Sequence, residues 1–286
     1  MMINKLIYFV ILISSLFLWK CTEDLDVGYI GSSNDRLIVY GKITTDTMRH
    51  TVKLSRSLDY SSSEEKPERN ATVTISDGDT IFSLKETSAG TYQTDSTVYG
   101  IPGKTYTLSI ELENDSVYTA TAELLPITGT DSIRVKKEYF SFMDEYYYKV
   151  YFFGQEPAGK GDYYLWNLYL NDSLYNDTIN ETAFESDEWV DGAYIHDFDV
   201  YWVEEDAITK DTTDVMLEMY SLTEDYYMFL FELMSETTWR GGPFDPTPAN
   251  VRTNISNSGL GYFSAHAISR GKFRYIKSKE EGIPDN

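Results

Sequence analysis

Three histidines, one cysteine and a large surplus of carboxylates bound the chemistry open to this chain of 286 residues. His50, His196 and His266 stand far apart, and none lies in a nucleophile context. No G-x-S-x-G elbow occurs, and Ser258-Gly259-Leu260-Gly261 has the wrong order for one. Zinc needs clustered His and Cys ligands, which this spacing does not offer. Arg240-Gly241-Gly242 lacks the G-K-[ST] ending of a phosphate loop. Acidic pairs such as Glu204-Glu205-Asp206 suit glycoside hydrolysis only if two carboxyls are held at a set separation across a cleft. With 46 acidic residues such pairs arise throughout, so they single out no site. The expectation is a non-enzymatic protein with no catalytic residues.

Two constellations suit binding instead. Glu185, Asp187 and Asp191 place carboxylates close together before Gly192, and Asp197 and Asp199 follow. They admit Ca²⁺, or an acidic loop solvated by water, and they lack the twelve-residue spacing of a dedicated calcium loop. No other cofactor is implied. Trp189, Tyr194, Tyr201, Trp202 and Trp239 gather in or near loops of the second half. Aromatic faces there would stack on a sugar or a peptide side chain, with core packing as the alternative for each. The pattern Asp, Ser/Thr, then an apolar residue or Thr also recurs, from Asp46-Thr47-Met48 to Asp211-Thr212-Thr213. It reads equally as turn chemistry feeding strands and as a pattern that resembles the O-glycosylation acceptor of exported Bacteroidetes proteins.

The scaffold that must hold these groups is predicted to be mainly β. A hydrophobic fraction of 42% supports a sizeable core, and 24 tyrosines favour strands. Residues 71–76, 106–110 and 117–120 alternate apolar with polar, separated by the turn signals Asp77-Gly78, Gly90 and Asn114-Asp115. Short strands at this spacing predict an immunoglobulin-like β-sandwich over 35–127, an architectural statement only, since no Cys pair is present. Residues 128–286 form a second β-rich domain. Within it, residues 139–153 read as one long strand, aromatic on both faces and therefore buried on both or part of an interface. Ser221-Leu222-Thr223-Glu224 reads as a capping box before the one clear helix, with Tyr226, Phe229, Leu230, Leu233 and Met234 at helical spacing. The segment 259–263 is predicted to turn tightly into a final buried strand. The net charge of −22 repels nucleic-acid phosphates and gives no basic patch for anionic lipid.

The start of the chain carries an address. Lys5 precedes an apolar run over 6–18, too short to span a membrane comfortably, and Cys21 follows, then Thr22-Glu23-Asp24. This resembles a bacterial lipoprotein signal, although Lys20 stands where a small residue is usual; an ordinary signal peptide or signal anchor is the alternative. In the lipoprotein reading residues 1–20 are the signal peptide. Cys21 becomes the first mature residue and carries palmitate-type acyl chains, which hold it to the membrane, and 21–34 form a tether.

Several stretches resemble the Bacteroidetes lipoproteins grouped as the domain of unknown function 4249 family. They include Leu37-Ile38-Val39-Tyr40-Gly41, Val52-Lys53-Leu54-Ser55-Arg56, Gly90-Thr91-Tyr92, Pro248-Ala249-Asn250-Val251 and Gly259-Leu260-Gly261-Tyr262-Phe263. The resemblance implies an outer-membrane lipoprotein on the cell surface, accessory to a TonB-dependent β-barrel transporter through ligand capture or docking, with no known catalytic residue. A surface adhesin or structural binding module is the alternative. Replacing Cys21 by Ser should release the protein from membranes or leave it uncleaved, read by fractionation and intact mass; unchanged membrane retention with normal processing would sink the anchor.

Overall fold

The computed structural model describes residues 35–58, 66–238 and 251–277; Cys21, Trp239 and the segment 240–242 lie outside them. From Arg36 onward the chain forms one compact unit. The alternation over the first third produces β1 (Leu37–Thr44), β2 (Thr51–Arg56), β3 (Lys66–Pro67), β4 (Thr72–Ser76), β5 (Ile81–Ser88), β6 (Thr91–Gln93), β7 (Thr105–Glu111) and β8 (Val117–Glu123). Every second side chain of β4, β7 and β8 is buried, as a sheet with one face on a core requires. The strands run in the order β1-β2-β6-β5-β4-β7-β8, with β3 on β2. β5 pairs with β4 and, across a register shift, with β6, so it carries the sheet round the core. Leu37, Val39, Leu54, Ile75, Tyr106, Leu108 and Ile110 fill the interior.

The remaining elements are β9 (Thr130–Phe140), β10 (Glu145–Gln155), β11 (Tyr163–Leu170), β12 (Ser173–Leu174), β13 (Ala183–Ser186), β14 (Tyr194–Glu204), β15 (Thr212–Leu222), α1 (Glu224–Thr238), β16 (Leu260–His266) and β17 (Ile268–Ile276). A three-stranded sheet, β14-β10-β9, packs on a second sheet, β12-β11-β15-β17, with β13 also on β11. Tyr148, Val150 and Phe152 of the first meet Trp166, Leu168, Val215 and Leu217 of the second. The far face of the second sheet carries Tyr163, Leu165, Tyr220 and Leu222, and α1 lies over it with Tyr226, Phe229 and Leu230. Its central strands are thus buried on both sides. Among the described residues the chain is mainly β with one packed α-helix, as the sequence patterns predict.

Three expectations need correcting. Residues 139–153 are a hairpin rather than one strand: the amides of Met143 and Asp144 both reach the Phe140 carbonyl, and Asp144 takes a φ of 60°. One face of β10 is buried at Tyr148, Val150 and Phe152; on the other, Tyr151 and Phe153 are only partly covered, by Arg134 and Lys136, and Tyr147 by Phe140 and Trp202. Lys and Arg stems cover apolar surface while their charges stay wet, so no further layer is needed. The cap of α1 is Thr223, whose Oγ1 accepts from the Tyr226 amide at 3.3 Å. Ser221 is engaged elsewhere, donating to the Leu125 carbonyl at 2.8 Å and accepting from the Ala267 amide at 2.9 Å.

The third correction concerns 259–263. These residues open β16, which is not the final strand; it lies parallel to β1 at the edge of the first sheet, with Ile38 opposite Leu260 and Thr44 opposite His266. Leu125, just beyond β8, bridges to His266, so the two ends of that sheet meet. Gly261 has a φ of +84°, and a Cβ there would stand 2.0 Å from the Val39 carbonyl oxygen. Gly261→Ala should therefore lower unfolding free energy by more than ~3 kcal/mol in urea titrations. Gly78, with a φ of +91° and nothing within 4 Å of its would-be Cβ, is the control. Its Ala variant should lose about 1 kcal/mol from backbone strain alone. Equal losses at the two positions would refute the close approach.

Candidate functional site

β10 ends in a bulge. Its register to β14 shifts between Phe152 and Gly154, and a bulge re-aims the side chains beyond it. Beyond the bulge, Gln155 and Glu156 close one end of a cavity of about 130 Å³. Phe152, Tyr164, Trp166 and Phe198 form its aromatic wall, with Ile195, Val190 and Met219 beside them. Trp166 stands 6.3 Å from Phe152 and 5.6 Å from Phe198 between ring centres. Glu185, Ser186 and Trp189 line the cavity from β13 and the loop after it, and Trp189 is 88% exposed.

Two loops hold the site in place. The Glu156 amide donates to the Ala193 carbonyl and the Gly192 amide to Pro157, both at 3.0 Å. Asp187 accepts from the Gly161 amide, and Asp191 from the Gly159 amide at 2.7 Å. The acidic stretch read from sequence thus spends two carboxylates on tying the 156–162 segment to the 187–193 segment.

Glu156 is the central polar group. It is only 3% exposed and accepts from the Tyr164 hydroxyl at 2.9 Å. Burial pushes its carboxyl up to about 7, and the charges of Asp162, Asp187 and Asp191 add to the effect against the lowering by Tyr164. Asp162 and Glu185 are also raised, mainly by burial. Carboxylate oxygens of Glu156, Asp162 and Asp187 lie within 4.8 Å of one another, a geometry that could receive a cation. Trp166, 3% exposed, carries an Nε1–H with no hydrogen-bond partner. An unpaired buried donor costs about 1–3 kcal/mol, so a bound acceptor would recover energy there.

Of the residues singled out from sequence, the cavity collects Glu185 and Trp189. Asp187 joins a carboxylate trio with Glu156 and Asp162, rather than with Glu185 and Asp191. Tyr201 is a core residue, 6% exposed, donating to the Trp166 carbonyl at 2.6 Å; the alternation of β14 points it inward. Trp202 faces outward on the same strand, 4.0 Å below Lys149 and packed on Phe140 and Tyr147, which cover only part of it; it lies away from the cavity and stays 41% exposed. Tyr194 is partly exposed, against His196 and Asp131. Trp239 lies outside the described residues. Sequence reasoning missed Glu156, Tyr164 and Trp166. The available signal was Glu156 itself, an acidic residue directly after an apolar strand and before Pro157.

The chain belongs to the family described as Domain of unknown function (DUF4249), whose model matches residues 22–272. No curated protein matches it.

Glu156 also sets a pH dependence. Unfolded, it ionises near 4.5; folded, near 7. Between those values the unfolded chain has lost the proton that the folded chain keeps, so ionisation favours unfolding and stability falls as pH rises. Tyr164 from β11, and Asp162, Asp187 and Asp191 from the loops, are the titratable groups facing it. The melting temperature should drop between about pH 4.5 and pH 7 and level off above, and Glu156→Gln should flatten that drop. Identical slopes for the two proteins would show that Glu156 is not the buried acid.

Proposed function

We propose that this DUF4249 protein is a non-enzymatic lipoprotein of the outer membrane, anchored through Cys21 and facing the cell exterior. It captures a small ligand in the cavity behind Trp189 and passes it to a TonB-dependent β-barrel. The observation that carries the reading is the cavity itself: aromatic walls, a buried carboxyl at Glu156, and the unpartnered Nε1–H of Trp166. Largely apolar concavities with a few convergent polar groups are the usual form of ligand sites. The residues lining it offer stacking faces, hydrogen bonds and carboxyl groups. The acidic surface keeps such a protein clear of nucleic acid and of anionic headgroups.

One observation favours the alternative of a surface adhesin or structural binding module. The β9–β10 hairpin ends in Phe142, 87% exposed, and Met143, 56% exposed. Exposed apolar side chains grouped at a loop tip are a common feature of contact surfaces. The two readings separate on one experiment: purification of the tagged protein from native membranes in mild detergent, with mass spectrometry of what accompanies it. A stoichiometric TonB-dependent β-barrel is the expected result. Recovery of the acylated protein alone would overturn the transport reading in favour of the adhesin.

A further inference from the structure

The chemistry of the cavity narrows what can occupy it. The argument rests on the capture reading and concerns the class of ligand. Glu156 and the exposed Glu185 line the cavity, and the Glu156 carboxyl is clustered with those of Asp162 and Asp187. Among the described residues, the ion pairs of the adjacent strands go to other carboxylates: Arg134 pairs with Asp197, Lys137 with Glu205, and Lys149 with Glu138 and Asp199. Lys160, nearest in sequence to the cluster, donates to the Glu188 carbonyl at 3.3 Å. The cavity therefore presents carboxyl groups that no described cation neutralises. Aromatic ring faces carry the negative end of a quadrupole and attract cations further. An anionic group set against Glu156 or the ring faces would be repelled.

Size and polarity set the rest. A volume of about 130 Å³ is close to that of an engineered cavity known to hold benzene, so one ring or one short branched chain fits. Phe152, Phe198 and Met219 require that portion to be apolar. The free Nε1–H of Trp166, buried to 97%, is an observation independent of the acidic cluster, and it asks for a hydrogen-bond acceptor on whatever binds.

We infer that the cavity binds a compact organic ammonium ion that also carries a hydrogen-bond acceptor, its apolar ring or chain against Phe152 and Phe198, its acceptor on the Trp166 Nε1–H and its ammonium group on Glu156. Glu156 holds the charge by ion pairing, and the surrounding rings hold the apolar body. Ligand entry and Glu156 deprotonation are coupled, because the bound cation stabilises the carboxylate that burial disfavours.

The test uses the full chain, with acyl anchor, in detergent, at a pH where Glu156 is ionised. Three probes share a ring and differ in charge: benzylamine, benzyl alcohol and benzoate. Binding is read by tryptophan fluorescence and by ligand-observed NMR, and melting temperature controls for folding. Benzylamine should bind at least tenfold more tightly than benzyl alcohol, and benzoate should not bind. Glu156→Gln keeps the shape and can still accept the Tyr164 hydrogen bond. It should cut benzylamine affinity at least tenfold and leave benzyl alcohol unchanged. Glu185→Gln, at the exposed mouth, serves as the second variant and should weaken benzylamine by a smaller factor. Equal or tighter binding of the alcohol, or any binding of benzoate, would overturn the ammonium assignment while leaving the capture reading intact. Displacement of benzylamine by micromolar Ca²⁺ would also overturn it, in favour of a metal on the carboxylate trio. If no probe of any charge enters the cavity, the capture reading falls with the inference.

Discussion

Strand β16 meets β1 at a distance no side chain at Gly261 could allow, and much of the protein is organised by that contact. Phe263 lies in the core of the first sheet, while Tyr262 lies in the cluster beneath α1. Asn254 holds the strand from outside: its amide donates to the Phe263 carbonyl at 2.7 Å, and its oxygen accepts from the Phe263 amide at 3.0 Å. At the far end His266 is buried, and burial holds its imidazole down to about 3, so it is neutral. Its Nδ1, 2.8 Å from the Ser221 carbonyl, must then carry the proton, and Nε2 accepts from Ser264. Ser221 in turn reaches Leu125 and Ala267. Three stretches distant in sequence are thereby fixed to one another through groups that would be costly to leave unpaired.

Charge is handled in two ways in this acidic chain. Toward the surface, carboxylates find cations: Asp77 and Asp79 share Lys104, Glu232 and Asp225 share Arg252, and Glu218 and Asp46 share Arg270. Around the cavity the carboxyls of Glu156 and Asp162 are instead relieved by holding their protons more tightly. The difference matters for binding. A paired carboxylate is already satisfied, whereas a buried acid near neutrality can exchange its proton for a ligand's positive charge.

The abundance of tyrosine has a structural explanation that the composition alone hides. Buried tyrosines stand in the cores with their hydroxyls at the rim, where they satisfy loop backbone. Tyr92 accepts from the Ala71 amide and donates to the Glu68 carbonyl; Tyr106 accepts from Ile101. Beside the cavity Tyr201 donates to the Trp166 carbonyl of β11 and Tyr164 to the Glu156 carboxylate. A ring that fills volume and carries a polar tip suits a chain whose sheets end in many irregular loops.

Local pattern determined a good deal of this. Period-two alternation fixed the strands of the first sheet, because only one phase buries Val73, Ile75, Leu108 and Ile110 together. The spacing of Tyr226, Phe229 and Leu230 fixed α1. The single cysteine after an apolar run, and the motifs shared with the family, were legible without coordinates. Glu185 and Trp189 were legible as members of an acidic, aromatic stretch, but not as parts of a cavity. Glu156, just beyond β10, and Trp166, in β11, belong to different sheets and meet only once those sheets pack. Tyr201 and Trp202 are neighbours in sequence with opposite fates, settled by which side of β14 faced the core. The place of β16 was beyond local reading for the same reason. Its partner β1 lies more than two hundred residues away, and pairing at that separation depends on the packing of everything between.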